Sequence, residues 1–183
     1  MKTKKTTAFT FLCIAMISLL MLTSCDINRV NADLVYARDH PIERYRTLND
    51  ISLGIMDLQR ITALIALHAG NTDDINSLEQ HALHVWEVTL DNIQFYHDNL
   101  QHDPRLGVES LGNYLSRINE IRLLVTEYMD FVVRPVVHHS LADEQNQSIL
   151  IIREGEIIVE QINEQVDMTL SKYFALLDHA IGW

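Results

Sequence analysis

Cysteine is almost missing from this chain. Of 183 residues only Cys13 and Cys25 carry a thiol, and both lie near the N-terminus. The remaining sequence therefore has no disulfide framework, no thiol nucleophile and no thiolate metal set. It has no Cys-x-x-Cys-His run either, which excludes a covalently attached c-type haem. Proline occurs only at positions 41, 104 and 135, and there are six glycines. So little chain punctuation, with short β-branched runs, predicts an all-α fold. No Gly-rich phosphate loop and no low-complexity stretch interrupts the chain. Lysine is confined to Lys2, Lys4, Lys5 and Lys172, and the formal net charge is −11. An acidic body of this kind excludes nucleic acid as a partner class and offers no basic patch for a membrane surface.

Positive charge does occur at the N-terminus, and it has a consequence. Lys2, Lys4 and Lys5 precede an uncharged apolar run from Ala8 to Ser24, and no acid comes before Asp26. The uncharged stretch that contains it, Thr6–Cys25, is 20 residues long, roughly what a bilayer core requires. It reads as a signal peptide or as a first membrane span, and positive charge before it places the N-terminus inside and the body outside. Its exit, Leu22-Thr23-Ser24-Cys25, is similar to a bacterial lipobox, which makes Cys25 a lipidation candidate. Either version tethers the body to the outer face of the cytoplasmic membrane, in the periplasm or extracellular space. The expected organisation is a leader or span over 1–25, a connecting and partly helical segment over 26–40, and a helical domain over 41–183.

Within that domain Ile149–Trp183 carries the strongest pattern. Ile152, Val159, Val166, Tyr173 and Ala180 recur every seven residues, and Ile162, Thr169 and Leu176 interleave. Alternating steps of three and four mark the seam of a helix packed in a bundle. Such a helix spans on the order of 45–50 Å and needs other helices beside it. Leu48, Ile51, Ile55, Leu58, Ile61, Ile65 and His68 predict a first helix over about 41–69, with Pro41 in its first turn. Gly70 stops it. Thr72, Asp73 and Asp74 supply N-cap oxygens for a second helix through Leu78, Ala82, Val85, Thr89, Ile93, Tyr96 and Leu100. Asp103-Pro104 reads as a cap and first turn for a third, with Leu111, Leu115, Ile118, Ile121, Val125, Tyr128 and Val132. Pro135 ends or kinks that helix, and Ser140-Leu141-Ala142-Asp143 approximates a capping box before the last one. Short connections make neighbours antiparallel, hence an up-down-up-down antiparallel four-helix bundle behind an N-terminal hydrophobic membrane segment.

This layout resembles the sensor domain of methyl-accepting chemotaxis receptors, truncated before the second membrane span. The local text that carries the resemblance is Val35-Tyr36-Ala37-Arg38-Asp39-His40-Pro41-Ile42, then Leu48-Asn49-Asp50-Ile51, and Arg153-Glu154-Gly155-Glu156 followed by Val159-x-x-Ile162-Asn163. The resemblance implies a bacterial sensory module that signals by helix displacement after binding a small ligand or a periplasmic binding protein, and that works as a dimer through its first and last helices. Trp183 falls about where a receptor's second span would begin, so the sequence reads as a piece of a receptor or as a free-standing lipoprotein. The alternative is accordingly a membrane-anchored helical lipoprotein with a structural or adaptor role. Leu53 and Leu64 on the first helix and Ile151, Ile158 and Leu177 on the last stand beside the seam. They are the expected contacts of a weak homodimer, with Ile158→Glu expected to separate it.

Candidate chemistry is sparse. No enzyme is expected: no catalytic residues or cofactor are assigned, and neither Glu79-x-x-Ala82 nor Glu87-x-x-Leu90 supplies the Glu-x-x-His of a di-iron bundle. His68, His81, His84, His138 and His139 fall toward one end of an antiparallel bundle. Imidazole suits Zn²⁺ or Ni²⁺, but without fixed ligand spacing, solvated helix-end histidines are the simpler expectation. Arg60 and Arg153 occupy its outer half, where the resemblance implies carboxylate-binding arginines. The receptors' arginine cluster is missing here. An ion pair of Arg60 with Asp57 or Asp74 is the plainer alternative.

Overall fold

The computed structural model describes residues 29–181, with side chains as far as Ser171. The leader with Cys25, and the side chains of Tyr173, Leu176, Leu177 and Ala180, lie outside the described residues. The chain divides into two compact units, Met1–Ile42 and Glu43–Trp183. In the first, residues 29–37 form helix α1, which runs into a π-helical turn over Arg38–Ile42. Pro41 lies inside that turn rather than in the first turn of an α-helix. A proline ring crowds the preceding turn and removes one N–H, and a widened turn accommodates both defects. Arg38 Nε donates to Asp39 at 2.6 Å, and the Tyr36 and His40 rings stand 5.3 Å apart.

The second unit is all-helical among the described residues: α2 Glu43–Leu67, α3 Thr72–Gln101, α4 Val108–Tyr128, α5 Arg134–Leu141 and α6 Gln145–Ile181. α4 and α5 are joined by a π turn over Met129–Val133 and act as one long helix. Pro135 therefore does not end it. The missing Pro135 N–H is absorbed by the wider turn, in which the Arg134 N–H bonds the Met129 carbonyl. Four long helices result. α2 packs on α3 and α6, and α4 with α5 packs on α3 and α6, so α2 and α6 are direct neighbours.

Most of the expected seam positions that are described are buried, while Leu78, Val85, Leu111, Leu115 and Ile152 are half-buried against the core. Leu48, Ile51, Ile55, Leu58, Ile61 and Ile65 fill the core from α2, and Ile93, Tyr96 and Leu100 from α3. Ile118, Ile121, Val125, Tyr128 and Val132 enter from α4 and its π turn, and Val159, Ile162 and Val166 from α6. The α6 seam extends further toward its N-terminus than the apolar pattern indicates, because Gly155 and Ser148 continue the Ile162–Thr169 row and are buried. His68, expected to close the α2 row, is exposed in the turn.

Capping differs from expectation at three places. Asn71, not Thr72 or an aspartate, is the N-cap of α3, its side chain accepting from the Asp74 N–H. α4 starts at Val108 behind Gly107, without a side-chain cap, and Asp103 is buried in the preceding loop instead. Ser140 does not cap α6; it is buried, and its hydroxyl lies 3.0 Å from that of Ser148. The turns tie one pole of the bundle together. The Gly70 N–H donates to the Ser140 carbonyl at 2.9 Å, and Gln145 Nε2 to the Ala66 carbonyl at 3.2 Å. Gly70 has φ +84°, a left-handed conformation that glycine adopts without a Cβ penalty. No helix among the described residues is long and apolar enough to cross a membrane.

The faces of α6 need one correction. Ile151 and Ile158 pack against the core and are half-buried, so they are not a free second stripe. On α2, Leu64 is half-buried while Leu53 is exposed. Among the described side chains of α6, the exposed large apolar ones are Ile149, Leu150 and Ile157. Ile158→Glu is therefore expected to place a charge against the core and lower stability by about 2–3 kcal/mol. Urea unfolding checks this; an unchanged midpoint would return Ile158 to the surface.

Candidate functional groove between α2 and α3

Among the described residues, a groove of about 380 Å³ opens on the outside of the α2–α3 pair. Asp50, Leu53, Gly54 and Asp57 line it from α2, and His84, Val85, Val88, Thr89 and Asn92 from α3. Its floor follows from one residue. Gly54 presents no side chain, and a Cβ added there would lie 2.2 Å from Thr89 Oγ1. The two helices are therefore close at this level. Thr89 is held in place by donating its hydroxyl to the Val85 carbonyl at 2.7 Å. To either side of the close approach, Leu53 and Val88 form half-exposed apolar lips, at 51% and 45% exposure.

The polar rim is acidic and amide-bearing. Asp50 and Asp57 are seven residues apart on α2, two turns along one face, so their Cα atoms are separated by about 10.5 Å of rise. Asp57 Oδ1 accepts from Arg60 Nε at 3.3 Å, a bond within the helix. Neither lysine nor arginine lines the groove. This chemistry accepts hydrogen bonds and attracts cations.

Arg60 is exposed and pairs with Asp57; Arg153 is exposed on α6. His68 Nδ1 lies 2.9 Å from Asp74, and His139 Nδ1 lies 2.6 Å from Glu144. The rings of His138 and His139 stand edge to face with centroids 5.3 Å apart. His81 is exposed, and His84 is on the groove wall. Among the described residues, no group of three or more His, Cys, Asp or Glu could hold a metal ion.

Sequence reasoning missed two arrangements. One is the groove, whose only textual signal is the Asp50/Asp57 spacing. The other is a buried ion pair at the pole of the bundle where α2 starts. Arg44 Nη2 lies 2.5 Å from Asp103 Oδ2, with side chains 6% and 0% exposed. Asp103 Oδ1 also accepts from the Arg105 N–H at 2.9 Å. Close by in the core, burial pushes the Tyr114 phenol up, opposed by the positive charges of Arg44 and Arg117. Burial likewise raises Tyr128, against a hydrogen bond with Thr62. On the surface of α3 the hydrogen bond with His97 holds the Asp98 carboxyl below its ordinary value.

Compared with known proteins, the chain matches no family model, no curated protein and no solved structure.

Proposed function

We propose that this chain is a membrane-tethered, extracytoplasmic helical sensor module of the chemoreceptor kind, which binds a small ligand or partner and signals by helix displacement. The observation that carries the reading is the packing of α2 against α6 in opposite directions. It brings the start of α2 and the end of α6 to one pole of the bundle. In the receptors that the layout resembles, the first and last helices carry the displacement, and this packing puts α2 and α6 side by side in that way. The far pole is fastened by the Gly70–Ser140 and Gln145–Ala66 bonds. A shift of α6 along α2 would therefore be expressed at the pole where the chain leaves. Small translations of packed helices are an established way to pass a signal through a bundle. No metal, cofactor or catalytic step belongs to this reading.

The tether rests on Lys2, Lys4 and Lys5, the apolar run and Leu22-Thr23-Ser24-Cys25. In a bacterial host, Cys25→Ala is expected to abolish lipid labelling and leave an unprocessed precursor. Wild type with an intact Met1 leader and no lipid would make the segment a span instead. Protease added to spheroplasts is expected to digest the body in both cases. A body protected from protease until lysis overturns the sensor reading. Weak self-association belongs to the same reading, through Leu53 and Met56 of α2 and Ile149 and Ile157 of α6, which are exposed.

A further inference from the structure

We infer that the α2–α3 groove binds a linear aliphatic diamine, with an ammonium at Asp50, an ammonium at Asp57 and the methylene chain over Leu53, Val85 and Val88. The inference rests on the sensor reading only for its biological use; the groove stands on its own geometry. Asp50 and Asp57 are its only formally charged lining residues apart from the titratable His84, and both are acids. An anionic ligand would meet two carboxylates and no lining cation, since the nearest guanidinium, Arg60, lies outside the lining and is already paired with Asp57. A single metal ion is also excluded as the occupant. Metal–oxygen bonds are about 2–2.6 Å long, and two carboxylates two helical turns apart cannot share one ion. The described residues likewise contain no chelating group of three.

An uncharged apolar molecule would gain only the contact with the lips and leave the rim unused. A monocation would use one end. A dication with an aliphatic body uses both carboxylates and the apolar strip between them, because Leu53 lies between Asp50 and Asp57 in the chain and Val85 and Val88 face it from α3. A chain of about eight methylenes is long enough for the rise between the two carboxylates.

The rim is able to take the charge. Asp50 has no ion-pair partner among the described residues. Asp57 is engaged by Arg60 through Oδ1, the nearest Arg60 nitrogen being Nη2 at 3.2 Å. That pair is exposed, with side chains 59% and 52% accessible, so it resists displacement weakly. The Asn92 amide and the His84 ring on the opposite wall supply further acceptors. The groove depends on Gly54: a larger side chain there would meet Thr89 and fill the floor.

The test is calorimetric titration of the detergent-solubilised full chain with 1,8-diaminooctane, 1,3-diaminopropane, octylamine and octanoate at moderate salt. Saturable binding of 1,8-diaminooctane is expected, at least tenfold tighter than octylamine or the short diamine, with no binding of octanoate. Asp50→Asn and Asp57→Asn should each weaken it about tenfold or more while leaving the helical circular dichroism signal unchanged. Both sites are exposed, so neither substitution threatens the fold. Absence of saturable binding, equal affinity for the monoamine, or undiminished affinity in both variants overturns the inference. Protease accessibility in spheroplasts separates the two ideas. An accessible body that binds no diamine leaves the sensor reading without this ligand. A protected body that does bind it keeps the site and removes the sensor reading.

Discussion

Replacing Asp103 with alanine is expected to lower the unfolding free energy by about 3–5 kcal/mol, because it leaves the Arg44 guanidinium charged and buried without its carboxylate. The pair is closed, with an Nη2–Oδ2 separation of 2.5 Å and side chains 6% and 0% exposed. It joins the first turn of α2 to the loop between α3 and α4, 59 residues away in sequence. The loss is a large part of the roughly 5–15 kcal/mol that holds a domain of this size folded. The pair itself need not be net stabilising, since desolvating two charges offsets much of their attraction. A second variant separates these effects. Arg44→Met with Asp103→Asn removes both charges and retains an acceptor for the Arg105 N–H. It is expected to recover most of the loss, giving a strong coupling in a double-mutant cycle. The exposed Arg60–Asp57 pair is the control: Asp57→Asn should change stability by about 0.5 kcal/mol or less. The readout is urea unfolding followed at the helical signal, with slope and midpoint fitted separately. An Asp103→Ala effect under about 1 kcal/mol would mean that water or another neighbour satisfies Arg44 once the carboxylate is gone.

The ion pair also shows where reading the text stops. Apolar periodicity located the four long helices, because a side chain every three or four residues must be buried by whatever packs on it. Ile51, Ile55, Ile118, Ile121 and Ile162 are essentially inaccessible, as the pattern requires. Asp103 followed by Pro104 reads equally well as a helix cap, and only the distant Arg44 decides otherwise. Pro41 does not open an α-helix, and Pro135 interrupts its helix with a π turn rather than ending it. Pro41 and Pro135 are accommodated by π turns, so the backbone continues where a local rule expects a boundary. The face of α6 was ambiguous for a further reason. Ile157 and Ile158 are adjacent and alike in the text, yet Ile157 is 63% exposed while Ile158 packs on the core. A rotation of about 100° separates neighbours on a helix, and the seam alone fixes their assignment only to within that step. The groove was least legible, since Asp50, Asp57 and Asn92 line one surface only when α3 closes on Gly54. The leader and Cys25 are still known from sequence alone.

Gly155→Ala is expected to destabilise the bundle by about 1–3 kcal/mol, against the usual direction for a helix-interior glycine. Alanine ordinarily stabilises such a position by about 1 kcal/mol, since it restricts the unfolded chain and is the best helix former. Here the Cβ would stand 2.6 Å from Val132 Cγ2 and 2.9 Å from Val132 Cγ1. Both Val132 methyls are involved, and Val132 is only 2% exposed, so a rotamer change has little room to relieve the clash. Relief would require α6 to move away from the π turn after α4, opening the seam at Val159 and Ile162. Two comparisons make the outcome specific. Gly112 on α4 has nothing within 4 Å of a built Cβ, so Gly112→Ala should give the ordinary gain of about 1 kcal/mol. Val132→Ala alone should lose stability through lost burial and the space left behind. Combined with Gly155→Ala it should lose less than the sum, because the new methyl occupies part of the volume that valine vacates. Urea midpoints of the four proteins measure that coupling. If Gly155→Ala instead stabilises as much as Gly112→Ala, α6 does not approach Val132 closely. The row from Ser148 through Gly155 to Ile162 would then be an ordinary helix face rather than the tight crossing that sets how near α6 sits to α4.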